Sequence, residues 1–171
     1  MDTDLKIIIT QQQKEQKIKK SAMNWNFEPF VYDHDTQVTM IPNILTPPQT
    51  NQIIYSTMKQ QILKKISGYK QQDVKKHRFD PSQFITMEHI IQTMTEQNML
   101  CRYCNKKVYL IYDISREQSQ WTIDRIDNLQ GHNIDNYCIS CLTCNLSKRK
   151  GRDDTFFLKK NMVIIKLNDN V

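Results

Sequence analysis

The sequence predicts an α+β fold, with a mainly helical N-terminal part ahead of a small metal-stapled module of short strands and one helix. Two observations carry this reading. Apolar residues recur at helical spacing between Ile53 and Met94, then alternate in strand fashion over short runs beyond Cys101. Four of the five cysteines form two Cys-x-x-Cys pairs that bracket those runs, Cys101 with Cys104 and Cys141 with Cys144. The expected organisation is a segment 1–45 of uncertain order, a helical region 46–98 and the module 99–171.

Composition narrows the class. A chain of 171 residues suits one domain, or one domain with an appendage. With 25% charged and 39% hydrophobic residues it has the balance of a soluble globular protein, and three glycines and five prolines exclude a collagen-like or low-complexity chain. The formal charge of +6 favours polyanionic partners, because neutralising phosphates releases counterions. No apolar stretch reaches the roughly 18 residues that a membrane helix needs. Leu5–Thr10 is short and bounded by Asp2 and Asp4, so no signal peptide is expected. The expected location is therefore intracellular and reducing: cytoplasm, nucleus, or a host cell for a viral or phage protein. An odd number of cysteines in such a chain argues for metal binding over disulfides.

Along the chain, Ile7–Ile9 is a strand candidate, and Gln11–Lys20 is a basic run readable as helix or tail. Trp25, Phe27, Phe30, Val31 and Tyr32 imply packing. A helix is expected from Thr46 as N-cap with Pro47 at its first position, burying Ile53, Ile54, Met58, Ile62 and Ile66 and stopping near Ser67–Gly68. The basic stretch Tyr69–Arg78 reads equally as a solvated turn or as a phosphate-contacting strip. A second helix over Pro81–Gln97 buries Phe84, Ile85, Ile90, Ile91 and Met94, with His89 on its surface. Beyond the Cys101–Cys104 knuckle, strands are expected at Val108–Tyr112, Trp121–Asp124 and Tyr137–Ser140. A helix then opens near Cys141 and ends at Gly151 as C-cap, followed by a helical turn at Asp154–Lys159 and a closing strand at Met162–Leu167.

The spacing of the two pairs is that of a four-thiolate zinc site. Cys101, Cys104, Cys141 and Cys144 fill a tetrahedral shell with sulfur and leave no place for water, so the expected zinc is structural. Its binding would help to fold a module with a small core. Cys138, inside a predicted strand, is expected to be a small buried apolar residue.

Between the pairs runs Trp121-Thr-Ile-Asp-Arg-Ile-Asp, then Gly131-His132, then Asn136, then Cys141-Leu-Thr-Cys-Asn145 and Lys148. This order of elements, over about residues 101–150, resembles the HNH (ββα-metal) endonucleases, especially the endonuclease VII-like and phage or large-DNA-virus forms. The resemblance implies a divalent-metal-dependent endonuclease that hydrolyses phosphodiester bonds in DNA. Asp124 and Asn145 would offer hard oxygen ligands to a catalytic Mg²⁺ or Mn²⁺. Asn136 would tie the loop between the strands without touching substrate. The departure lies at Arg125, where many family members carry His. A guanidinium cannot take a proton from water, although it can clamp a phosphate. His132 is then the candidate general base, with Asp127 as a second candidate for base or further ligand.

Lys148, Arg149, Lys150 and Arg152 crowd the predicted helix end, where they suit both the helix dipole and passing phosphates. Three functions compete. The first is a DNA endonuclease; the second is a catalytically inactive, zinc-stapled nucleic-acid-binding module of the same fold, for which Arg125 speaks. The third is an unrelated zinc ribbon serving as an adaptor, which the order of Asp124, Asn136 and Asn145 disfavours. Whether the DNA is duplex, branched or single-stranded, and whether the chain forms a dimer, stay open.

Overall fold

The computed structural model describes residues 25–162. The strand expected at Ile7–Ile9, the basic run Gln11–Lys20 and all but the first residue of the expected strand Met162–Leu167 lie outside them. Helix α1 (His34–Met40) comes first, α2 (Gln52–Lys75) and α3 (Met87–Glu96) follow, then strands β1 (Trp121–Arg125) and β2 (Tyr137–Cys141), and finally α4 (Leu142–Lys148) and α5 (Asp153–Asn161). The strands pair antiparallel, Trp121 opposite Cys141 and Asp124 opposite Cys138. One hydrophobic core runs through both halves of the chain, from Val31 to Cys144. Among the described residues, no helix is long and apolar enough to cross a membrane.

Helix α2 differs from its sequence reading at both ends. It opens after Asn51, in a left-handed conformation, and not at Thr46. Pro48 disfavours helical backbone at Pro47, so the turn cannot start there. It does not stop at Gly68 but runs to Lys75, absorbing most of the basic stretch. A glycine inside a helix costs about 1 kcal/mol, and tertiary contacts offset it. The Ile123 amide donates to the Tyr69 hydroxyl at 3.0 Å, and Asp73 is wholly buried against the loop between the strands. One stripe of the helix therefore carries Ile54, Met58, Ile62, Ile66, Tyr69 and Asp73, apolar at first and polar at its end. Ile53, expected in the core, points outward.

Helix α3 starts six residues later than expected: Asp80 closes only a separate turn, accepting from the Ser82, Gln83 and Phe84 amides, and the helix opens after the cap Thr86. The Thr86 hydroxyl accepts from the His89 amide while His89 Nδ1 accepts from the Thr86 amide. The chain ahead of the cap is used differently: Ile85 N–H donates to His132 O at 3.1 Å and Ile134 N–H to Gln83 O at 2.9 Å. Phe84–Ile85 thus hold the loop that precedes β2.

Val108–Tyr112 makes only an isolated bridge, Tyr109 with Gln120, where a strand was expected. Beyond Tyr109 the partner is a side chain. Gln37, fully buried on α1, accepts from the Leu110 and Ile111 amides and donates to the carbonyls of Val31 and Ile111. Helix α4 ends at Lys148, and the C-cap, with positive φ, is Arg149, not Gly151.

Replacing Gln37 with Met keeps volume but strands four buried backbone groups. The expected outcome is a loss of roughly 3 kcal/mol or more in urea unfolding. A change under about 0.5 kcal/mol, typical of a surface position, would contradict this role.

Candidate functional site

Two Cys-x-x-Cys segments meet beneath the strands. The knuckle is shaped by backbone bonds, Asn105 N–H to Cys101 O and Cys101 N–H to Lys106 O, both 2.9 Å, with Asn105 left-handed. Arg102 N–H donates to Ile139 O at 3.0 Å, which docks the knuckle on β2. The other pair sits at the junction of β2 and α4, where Cys141 is the N-cap and its sulfur accepts from Cys144 N–H at 3.4 Å. All four sulfurs lie within 4.8 Å of one another, and those of Cys104 and Cys141 are 3.9 Å apart. A tetrahedral shell with metal–sulfur bonds of about 2.3 Å sets sulfurs about 3.8 Å apart. The cluster thus fits a metal ion such as zinc.

Four thiols this close cannot all ionise alone. The Cys141 thiol donates to Cys101 and lowers its pKa, while that same contact raises Cys141 and burial raises Cys144. A divalent cation removes the conflict, since it binds thiolates. Cys138 stands apart, buried and pushed up to about 12 by desolvation, its sulfur 3.4 Å from the Tyr103 hydroxyl.

Above the cluster, β1, α4 and the loop between the strands enclose a cleft of about 260 Å³ whose lining includes Asp124, Arg125, His132 and Asn145. Asp124 is buried at the end of β1. One oxygen, Oδ2, accepts from the Tyr103 hydroxyl at 2.8 Å and meets the Lys148 ammonium at 3.1 Å. Burial raises its pKa, opposed by Tyr103 and Lys148. Asn145, on α4, donates its amide to Thr122 Oγ1 and Ile123 O, both 3.1 Å. A carbonyl only accepts, which fixes the amide's orientation. Its own carbonyl oxygen has no hydrogen bond among the described residues.

Asn136 is buried and ties the loop to itself: it accepts from Asp127 N–H at 2.7 Å and donates to the carbonyls of Asp127 and Gly131 at 2.9 Å. His132 is 3% exposed. Its Nδ1 lies 2.9 Å from both oxygens of Asp73, and its backbone N–H donates to Asp73 at 2.6 Å. A carboxylate only accepts, so Nδ1 carries the proton and Nε2 keeps the lone pair. Burial lowers the His132 pKa below its ordinary 6.5, and Asp73 works against that. Tyr69 packs on the ring at 4.5 Å between centroids. Gly131 is required here, because a Cβ would meet Arg78 O at 2.4 Å.

Two placements differ from the sequence reading, those of Lys148 and Asp127. Lys148 is 3% exposed and turned inward, donating to Arg125 O beside Asp124, so it does not share the surface of Arg149, Lys150 and Arg152. Desolvating the ammonium is tolerable because Asp124 and, at 4.0 Å, Asp153 flank it. Arg125 donates to Gln130 O at 3.0 Å and lies 3.8 Å from Asp73. Asp127 spends its carboxylate on Leu129 N–H and Gln130, and does not line the 260 Å³ cleft. Sequence reasoning missed Asp73, Thr122 and Tyr103. Only the helical spacing of Asp73 from Tyr69 and Ile62 could have put it on the inner face of α2.

Comparison with protein-family models, curated proteins and solved structures gives no match.

Purified chain is expected to carry about one zinc, four thiolates being the shell of one ion. Cys101→Ser or Cys144→Ser should lose both metal and fold, whereas Cys138→Ser keeps the metal. Zinc-free but well-folded protein, or metal loss on Cys138→Ser, would overturn this assignment.

Proposed function

We propose that the chain is a metal-dependent endonuclease of the HNH type that hydrolyses phosphodiester bonds in DNA, with a structural zinc in the thiol cluster. The observation that carries this reading is the single cleft lined by Asp124, Asn145, His132 and Arg125. It combines a hard carboxylate, an amide carbonyl, an oriented imidazole and a guanidinium.

The donor set suits a small hard cation such as Mg²⁺ or Mn²⁺: the carbonyl of Asn145 has no other partner among the described residues, and Asp124 has one oxygen outside its bonds to Tyr103 and Lys148. Such an ion, when bound, neutralises charge developing on the phosphate and the departing oxygen. The protein supplies the rest. His132 Nε2, basic and oriented through Nδ1 by Asp73, takes a proton from the attacking water. Burial keeps the imidazole neutral at neutral pH. Asp127 is the weaker candidate, being turned away from the cleft by its loop bonds. Arg125 stays protonated and contributes a positive charge for the scissile phosphate.

One observation favours the second reading, an inactive nucleic-acid-binding module: the Lys148 ammonium already occupies Asp124 Oδ2. Under that reading, neither the native chain nor any active-site variant but Arg125→His would cleave.

Plasmid nicking by a variant series tests the proposal. Asp124→Ala and Asn145→Ala are expected to abolish cleavage while zinc content stays intact, and His132→Ala to slow it by about 10²–10⁴-fold. Rate should rise with pH through a value below 6.5 and then level off, since the neutral imidazole is the active form. The same depression makes His132 a source of acid sensitivity: the folded chain holds it neutral, so this stability is full above 6.5 and lost as pH falls. Full activity of His132→Ala would pass the base to another group. Activity gained only on Arg125→His would hand the case to the binding module.

A further inference from the structure

Beside the catalytic cleft lies a larger one, of about 770 Å³, walled by Lys76 and Arg78 from the end of α2 and by Lys150 and Arg152 from the link between α4 and α5. Arg125 and Asn128 line both clefts, so the two adjoin. We infer that this second cleft is a non-catalytic nucleic-acid site, seating backbone phosphates of the strand that runs on from the cleavage position; it rests on the nuclease reading above.

The charge arrangement is the main support. Asp127, Asp153 and Asp154 also line the cleft, but each has partners: Asp127 with Leu129 N–H, Asp153 with Arg102 and Tyr103, Asp154 with Arg152. The ammoniums of Lys76 and Lys150 are exposed and have no hydrogen bond or ion pair among the described residues. They line one cleft from two elements. A cation at the end of α2 suits the helix dipole, but that does not account for Lys150 and Arg152 arriving from the other element. The crowding is felt: Arg125, the largest cause, lowers the Lys76 pKa, with Arg78 and Lys150 adding to it. A polyanion relieves that repulsion. Leu129, 78% exposed at the rim, offers an apolar edge to a sugar or base, which a free phosphate would not use.

The test is binding without cleavage, with the native full chain in buffer without added divalent ions. Fluorescence anisotropy of a labelled DNA duplex is followed as salt is raised. Lys76→Ala with Lys150→Ala is expected to weaken binding about tenfold or more and to reduce the slope of log affinity against log salt by about 2, near one for each phosphate no longer neutralised. Lys59→Ala with Lys64→Ala removes the same charge from the exposed side of α2 and should leave the slope unchanged. An unchanged slope in the first pair, equal losses in both pairs, or no DNA binding by the native chain would each overturn the inference. Plasmid nicking is scored separately. Slope loss confined to the first pair, with no nicking by the native chain, keeps this cleft as a nucleic-acid site and refutes only the nuclease reading.

Discussion

Bringing four sulfurs within 4.8 Å of one another is the constraint on which the rest depends, because it joins the knuckle to the root of α4. Helix α4 is only seven residues long, too short to hold itself in water. Its first turn is capped by a cysteine sulfur, and its amide side chain at Asn145 is bonded to β1. The knuckle reaches the cleft too. Tyr103 sits between Cys101 and Cys104, and its hydroxyl donates to both Asp124 and Asp153. Loss of the cluster would release both the helix that carries Asn145 and the hydroxyl that fixes Asp124.

The opposite wall is set by α2. Its inner stripe packs Met58 and Ile62 in the core and then delivers Tyr69 and Asp73 to β1 and His132. The loop carrying His132 passes so close to the end of α2 that position 131 admits only glycine. Asn136 closes the loop from within, and Gln83–Ile85 hold its outer edge. The imidazole is thus positioned by two elements distant in sequence, α2 and Gln83–Ile85, and by Asn136 within its own loop, a geometry that keeps one tautomer.

What the sequence made legible follows from how local each signal is. The Cys-x-x-Cys spacing, the strands expected at Trp121–Asp124 and Tyr137–Ser140 and the helix after Cys141 rest on short-range pattern, and each is found in place to within a residue, while the loop-tying bonds of Asn136 are those the resemblance implies. The misread elements are those decided by distant partners. Helix α2 continues through Gly68 because Tyr69 and Asp73 have partners more than fifty residues away. Val108–Tyr112 is not a strand because a glutamine side chain seventy-odd residues earlier satisfies its Leu110 and Ile111 amides. Lys148, one more cation in a basic run, is drawn inward by a carboxylate on the neighbouring strand. Nothing in the spacing of charges distinguishes a lysine that pairs with a buried aspartate from one that meets solvent.

The proposed base shows the same limit. His132 was visible as a candidate, but its partner Asp73 lay within a stretch read for its lysines and arginines. Together they give an imidazole whose acceptor nitrogen has no hydrogen bond among the described residues, on a cleft that Asp124 and Asn145 also line. The direct measurement is the response of supercoiled plasmid to the zinc-loaded native chain with and without Mg²⁺ or Mn²⁺. Nicked circles that appear only when the divalent ion is added are the predicted result. Plasmid that stays supercoiled under every divalent ion, with the zinc still bound, would contradict the account.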